Sequence, residues 1–216
     1  MVHTLHQSLL ALTKNLDGTE NLVIAASQWG QVRFPPATPR FSVQHKEIIT
    51  ELAFLRAFLA WELFLEETFV LYLLGQTAPR GRPPYRFVFP PTRRGALHLI
   101  LPEGRDYVTW SVASTVAARA ERFFRDGRPF SAALQSQMTL LNDMRTIRNA
   151  IAHWQSRTQL KFKALVRTKT STGTFPSNLT VGAFLGGTVP SSAPPESFFT
   201  NYVNRLRYIA DRIVPS

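Results

Sequence analysis

The segment at 43–74 constrains the fold more than any other part of the chain, because it is strongly apolar and contains neither glycine nor proline. Its apolar periodicity predicts one long helix, which Gly75 and Pro79 are expected to end. Four charged residues interrupt the apolar run from Leu52 onward: Arg56, Glu62, Glu66 and Glu67. Charges at such positions argue against a membrane span and are typical of a buried core helix. The chain is therefore expected to fold around this helix.

The remaining pattern predicts further helices and a few short strands. A helix is expected at 3–16, ending at Asp17-Gly18, and a proline-rich connection follows at 34–39. Other helices are expected at about 107–126, 130–156 and 196–213. Strands are expected in a hairpin that pairs Arg86–Pro90 with Leu97–Leu101, and at 160–167 and 179–185.

These elements predict a mainly α fold, an up-and-down helical bundle with a small β-hairpin element. At 216 residues the chain is expected to form a single domain, 1–216. Its core would lie at about 43–75 and 107–160. A basic, proline-rich insertion would occupy about 76–106, and a C-terminal helix about 196–213.

The chain is basic, with a formal net charge of +11 and a pI near 10.8. Such a charge predicts an acidic partner, either nucleic acid or an anionic membrane. The absence of cysteine excludes disulfides, iron–sulfur clusters and thiolate zinc sites, and it fits a cytoplasmic protein. No signal peptide is recognised, and no membrane partner is expected. Because no histidine–carboxylate cluster or phosphate-binding glycine motif occurs, neither a metal nor a cofactor is expected.

The most informative motif is Arg148-Asn149-Ala150-Ile151-Ala152-His153, within the helix predicted at 130–156. An arginine steadies charge on phosphate oxygens, and a histidine exchanges protons near neutral pH. Together they supply most of what metal-free RNA cleavage needs. Asn149 and His153 share one side of a helix, but Arg148 and His153 diverge by about 140°. That divergence favours a site completed by a second copy of the chain. The alternative is a chance spacing, which is frequent in basic proteins.

Glu62 is predicted to lie in the middle of an apolar stripe of the 43–74 helix. A carboxylate there is costly unless a cation or hydrogen-bond donors meet it. The expected suppliers are Arg145 and Arg148. Two interpretations stay open: Glu62 only anchors one helix to another, or it positions Arg148 or His153 for chemistry.

The insertion carries a second concentration of positive charge. Five of its arginines are predicted to contact the RNA backbone: Arg80, Arg82, Arg86, Arg93 and Arg94. Tyr85 and Phe87 would stack on bases. The alternative is a solvated basic loop.

The chain resembles the HEPN superfamily, small helical-bundle proteins marked by an Arg-x4–6-His motif, here Arg148 to His153 with the polar Asn149 after the arginine. It is most similar to the group named RiboL-PSP-HEPN. The similar stretches follow one another over roughly 45–214: Phe54–Glu66, Arg122–Phe130, Leu141–Ile147, Val181–Leu185 and Tyr208–Val214.

The resemblance implies an endoribonuclease that needs no metal, works as a homodimer and often serves as a toxin or a phage-defence effector. Arg148 and His153 would be catalytic, with Asn149, Glu62 and Arg145 in support. The implied partners are RNA, a second copy, and an antitoxin or another defence-system protein. In HEPN toxins paired with a nucleotidyltransferase, a tyrosine two residues after the histidine is modified. Gln155 stands at that position here, so that control is not expected.

Two other functions stay open. A non-catalytic module of the HEPN type would bind RNA, a nucleotide or a partner protein through the same dimeric cleft. A purely structural helical dimer would use its basic charge for solubility.

Overall fold

The computed structural model describes residues 4–29, 42–104, 106–153, 155–170, 179–190 and 192–216. These residues are mainly helical, as predicted, and contain no β-strand. None of their helices is long and apolar enough to cross a bilayer. The connection at 34–39 lies outside the described residues.

The helices follow one another along the chain, with a 3-10 turn at Arg125–Gly127 between the fourth and the fifth. They are α1 (Leu5–Trp29), α2 (Val43–Leu73), α3 (Arg93–Ile100), α4 (Ala113–Phe123), α5 (Phe130–Gln135), α6 (Met138–Ala152), α7 (Ser156–Thr170), α8 (Val181–Gly186) and α9 (Phe198–Ile213). α2 and α9 confirm the helices predicted at 43–74 and 196–213. α4 is shorter than the helix predicted at 107–126.

The described residues form two compact units. The first unit comprises Met1–Lys14, Ala60–Asn142 and Arg205–Ser216, and the second comprises Asn15–Leu59 and Asp143–Asn204. The insertion therefore belongs to the first unit and the Arg148–His153 motif to the second. The single domain over 1–216 stays a prediction.

α1 is longer than predicted. Its expected apolar face is buried: Leu5, Leu9, Leu12 and Leu16. The predicted end at Asp17-Gly18 is wrong, because the helix continues to Trp29. Buried Thr19 and Ala26 extend the same face. Their packing therefore outweighs the cost of a helical glycine, which is about 1 kcal/mol.

α2 ends where Gly75 predicts. Gly75 has a φ of +89°, a left-handed conformation that favours glycine. The Gly75 N–H donates to the Tyr72 carbonyl (3.0 Å) and the Gln76 N–H to the Leu71 carbonyl (3.0 Å). This is the Schellman pattern of helix ends, and it fixes the direction in which the chain enters the insertion.

The predicted hairpin between Arg86–Pro90 and Leu97–Leu101 is wrong. Leu97 lies in α3, whose first turn is capped by the Thr92 hydroxyl, which accepts from the Gly95 N–H (3.1 Å). Arg86 instead forms an isolated antiparallel bridge with Phe124. A good N-cap followed by a helical apolar pattern therefore outweighed the short apolar run that suggested a strand.

The helix predicted at 130–156 is broken into α5, α6 and the start of α7. The strand predicted at 160–167 is also wrong, because α7 covers it. Phe162 and Val166 are buried and four residues apart, which is the spacing of one helix face. Lysines alternate with apolar residues around Phe162, which also fits the two-residue period of a β-strand.

The strand predicted at 179–185 is replaced by α8. The Thr180 hydroxyl caps this helix by accepting from the Ala183 N–H (3.0 Å). A carboxylate of α2 also holds its first turn, since Glu51 Oε1 accepts from the Gly182 N–H (2.8 Å). A Cβ at Gly182 would lie 2.3 Å from the Glu47 carbonyl oxygen, so only glycine fits there.

Each unit contains an aromatic cluster. In the first unit, Phe69 packs against Phe124 and Phe130, with ring centroids 5.1 and 5.0 Å apart. In the second unit, Phe184 stacks on Phe198 with centroids 4.4 Å apart. All five rings are buried, and aromatic pairs of this kind stabilise a core beyond the area that they bury.

Candidate active site

α6 carries the Arg148–His153 motif and is oriented by its apolar face. The buried residues of this face follow at intervals of three: Leu141, Met144, Ile147 and Ala150. Arg145 is exposed, and Arg148 and Asn149 are half-buried. Burial of the apolar face therefore leaves the polar residues of the motif toward the surface.

His153 and Gln155 are the described residues of the short turn between α6 and α7. The Thr158 hydroxyl lies within donating distance of the carbonyls of His153 (2.6 Å) and Gln155 (2.7 Å). The Gln159 side-chain amide donates to the Ala150 carbonyl (3.0 Å). These donors satisfy carbonyls that the end of a helix leaves open. The turn is therefore held from α7 without the side chains of Arg148 or His153.

His153 lies at the end of α6 rather than within a longer helix. Its N–H donates to the Asn149 carbonyl (2.9 Å), so the backbone still follows the helix at this residue. Asn149 and His153 are therefore one turn apart on the same side. The side chain of His153 is exposed, and both solvent and a ligand can reach it.

Asn149 connects the arginine to the side of α6 that carries His153. The Arg148 Nη1 donates to the Asn149 Oδ1 at 3.2 Å. This bond directs the guanidinium toward Asn149 and so reduces the divergence expected from the helical spacing. Arg148, Asn149 and His153 therefore contribute polar groups to one surface at the end of α6.

The two supporting residues, Arg145 and Glu62, belong to different units. Arg145 is exposed on α6, one turn before Asn149. Glu62 is half-buried on α2 and belongs to the first unit, whereas the motif belongs to the second. The expected contact between Glu62 and Arg148 stays a prediction.

The residues that hold the motif in place carry no recognisable sequence signal. Thr158 and Gln159 bond the turn, and Lys169 Nζ lies 2.7 Å from Asp143 Oδ2 in a salt bridge between α7 and α6. Burial raises the pKa of Tyr202, and the negative charge of Asp143 raises it further. Thr158, Gln159 and Lys169 lie in α7. Because 160–167 is predicted as a strand, the sequence does not place these residues beside α6.

Two of the five insertion arginines bind partners within the first unit. The Arg86 Nη1 donates to the Leu73 carbonyl at the end of α2 (2.6 Å), where a positive charge also meets the negative end of the helix dipole. Its guanidinium lies 4.8 Å from the ring centroid of Phe89. Arg93 donates to both carboxylate oxygens of Glu67. Arg86 is half-buried, whereas Arg93 is exposed and its ion pair with Glu67 competes with RNA for its charge.

The remaining three of the five arginines, Arg80, Arg82 and Arg94, are exposed, as Arg93 is. Arg82 and Tyr85 line a cavity of about 550 Å³ in the first unit. Arg94 lines another recess, together with Glu66 and Asp106. Phe87 is exposed and meets Tyr85 edge to face, with centroids 5.8 Å apart. The five arginines therefore do not share one environment.

Comparison with family models, with curated proteins and with solved structures finds no match for this chain. The resemblance to the HEPN superfamily stays a prediction.

Proposed function

We propose that the protein is an endoribonuclease that cleaves RNA by attack of a ribose 2′-hydroxyl, at a site built from Arg148 and His153. One observation carries this proposal: an exposed histidine lies one helical turn beyond an asparagine that binds the guanidinium of Arg148. A proton acceptor beside a fixed cation is what the reaction needs. The net charge of +11 supports a polyanionic substrate.

In this mechanism the imidazole of His153 accepts the proton of the 2′-hydroxyl. The 2′-oxygen attacks the adjacent phosphorus, and the bond from phosphorus to the 5′-oxygen breaks. Arg148 stabilises the additional negative charge on the phosphate oxygens in the transition state. Asn149 keeps the guanidinium oriented. The products are a 2′,3′-cyclic phosphate and a 5′-hydroxyl.

A second copy of the chain completes the site in this proposal. The leaving 5′-oxygen lies opposite the attacking oxygen, so a single histidine cannot serve both. The departing 5′-oxygen takes a proton either from the imidazolium of the second copy's His153 or, with its negative charge stabilised by the second copy's Arg148, from water. Leu52 and Leu59 of α2 support association, because they are 57% and 54% exposed and share one helix face.

The supporting residues and the biological role follow the same proposal. Glu62 and Arg145 position Arg148, and the exposed arginines of the insertion bind the RNA backbone. Uncontrolled RNA cleavage harms a cell, so a toxin or phage-defence effector restrained by another protein is the role that fits. The site needs neither a metal nor a cofactor.

The proposal is tested by RNA decay with purified protein in the presence of EDTA. We expect Arg148→Ala and His153→Ala each to reduce cleavage by about 10²–10⁴-fold. Arg157→Ala and His98→Ala change exposed residues of the same types outside the motif and serve as matched controls. Chemical denaturation shows whether each variant is folded. Unchanged cleavage by either motif variant rules out the assignment.

Mixed dimers test the composite site. If one site uses Arg148 of one copy and His153 of the other, mixing Arg148→Ala with His153→Ala restores part of the activity. If each copy acts alone, mixing restores nothing. Wild-type protein that binds RNA without cutting it would instead identify a non-catalytic module. Failure to retain RNA at low salt would favour a structural dimer.

A further inference from the structure

The cavity lined by Arg82 and Tyr85, of about 550 Å³, is enclosed by three chain segments of the first unit. Hydrogen bonds join these segments. The Tyr72 hydroxyl donates to the Ile213 carbonyl (2.6 Å), and the Arg125 N–H donates to the Tyr85 carbonyl (3.0 Å). These hydrogen bonds hold the segments that line the cavity, and its volume is typical of small-ligand sites.

Positive charge dominates the lining of this cavity. Four exposed arginines contribute to it: Arg82, Arg125, Arg128 and Arg212. Asp126 is the only carboxylate among the described residues of the lining. Within the described part of the chain, none of the four arginines forms an ion pair with a carboxylate. Arg93 of the same unit, by contrast, is paired with Glu67. Guanidinium groups around one concave surface repel one another, and a bound anion relieves that repulsion.

Aromatic side chains hold two of these guanidinium groups. Arg125 lies 4.1 Å from the ring centroid of Tyr85, whose side chain is 56% exposed. The Arg212 Nη1 donates to the Tyr208 hydroxyl (3.0 Å). Arg125, which lies over a ring, keeps its N–H groups available for an oxyanion, and Arg212 keeps those that Tyr208 does not accept. The exposed aromatic surface of Tyr85 is suited to stacking with a flat base.

We propose that this cavity binds a nucleoside phosphate. The guanidinium groups of Arg125, Arg128 and Arg212 bind the phosphate, and the base stacks at the Tyr85–Arg125 pair. Several guanidinium groups for one anionic group suit a phosphate better than a carboxylate, and an acidic peptide would not use the aromatic surface. The nucleoside phosphate is either a free nucleotide or one residue of a single-stranded RNA. The inference does not rest on the cleavage proposed for Arg148 and His153.

Titration calorimetry of the full chain at low salt tests this inference with AMP and with an uncleavable 2′-O-methyl RNA octamer. We expect the double variant Arg125→Gln/Arg212→Gln to weaken binding by at least about tenfold. Arg122→Gln changes an exposed arginine of α4 outside the lining and is the matched control, with an effect below about threefold. If the double variant does not fold, Arg82→Gln/Arg128→Gln replaces it.

A second pair of variants tests the stacking. Tyr85→Leu is expected to weaken binding of AMP and not of inorganic phosphate. Tyr107→Leu, which changes an exposed tyrosine outside the lining, is expected to leave both unchanged. If Tyr85→Leu weakened the binding of inorganic phosphate as much as the binding of AMP, the placement of the base would be contradicted.

The arms of the titration distinguish the sources of the ligand. Tighter binding of AMP than of the octamer identifies a free nucleotide, and tighter, salt-dependent binding of the octamer identifies an RNA strand. The inference is overturned if neither ligand binds, if the double variant binds like the control, or if a hexaglutamate peptide displaces AMP at equal concentration. AMP contains no internucleotide bond to cleave, so its binding is measured independently of RNA decay, and failure of the cleavage proposal and failure of this one are separable.

Discussion

The turn after α6 and the insertion after α2 both carry arginines but are stabilised in different ways. At the turn, Thr158 and Gln159 supply the anchoring hydrogen bonds. In the insertion, the arginines themselves supply them, since Arg86 binds the Leu73 carbonyl and Arg93 binds a carboxylate. An arginine whose side chain stabilises no other part of the protein is available to bind a substrate. The difference indicates that the partner of an arginine, and not its place in a basic segment, decides its role.

The largest effect on stability is expected where the insertion depends on an arginine side chain. Arg86→Met keeps the aliphatic stem but removes the donor to the Leu73 carbonyl at the end of α2. We expect the free energy of unfolding to fall by about 2 kcal/mol, the typical value for a hydrogen bond from a charged group. Urea denaturation measures it.

Arg80→Met is the matched control, because the Arg80 side chain is exposed. Its effect should lie within about 0.5 kcal/mol. Equal effects of the two substitutions would show that the insertion does not depend on the Arg86 side chain, and the contrast with the turn would fail.

A smaller effect is expected at the turn. Thr158→Val removes the hydroxyl that bonds the carbonyls of His153 and Gln155, and we expect a loss of about 1 kcal/mol in stability. RNA cleavage should also slow, because the backbone that carries His153 is less restrained. Thr168→Val, which removes only a hydroxyl bond within α7, is the control. A change in stability without any change in cleavage would separate the turn from the catalytic site.

The smallest effect is expected at Glu51, and it depends on pH. Burial raises the pKa of Glu51, the N–H of Gly182 lowers it, and the charge of Glu47 raises it, with a net increase. The folded state therefore holds this proton more tightly than the unfolded state does, so the contribution of Glu51 to stability falls as the pH rises through its folded pKa.

Glu51→Gln removes this charge while keeping an oxygen acceptor for Gly182. We expect it to be more stable than the wild type at pH 7, by a few tenths of a kcal/mol, with the difference shrinking toward pH 4. Urea denaturation at both values measures it. A difference independent of pH would show that the charge of Glu51 is not the cause. Glu67, whose charge is paired with Arg93, provides the contrast.

Much of the helical content could be predicted from short-range pattern. The 43–74 segment and its stop at Gly75 are confirmed, because apolar spacing and a left-handed glycine are encoded within a few residues. None of the four predicted strands forms, and helices α3, α7 and α8 replace three of them, because short apolar runs satisfy helix and strand periods equally well. At α7, the buried pair of Phe162 and Val166 decides between them.

The sequence by itself determined a mainly helical, basic chain with an arginine and a histidine five residues apart. Only the tertiary structure decided that Arg86 binds the end of α2 and Arg93 binds Glu67, and that Arg125 and Arg212 line the same cavity as Arg82. Spacing along a helix is a local property, set by the geometry of one turn. The partner of a charged side chain can come from residues distant in the chain, as Arg93 and Glu67 show, and such a pair exists only after the chain has folded.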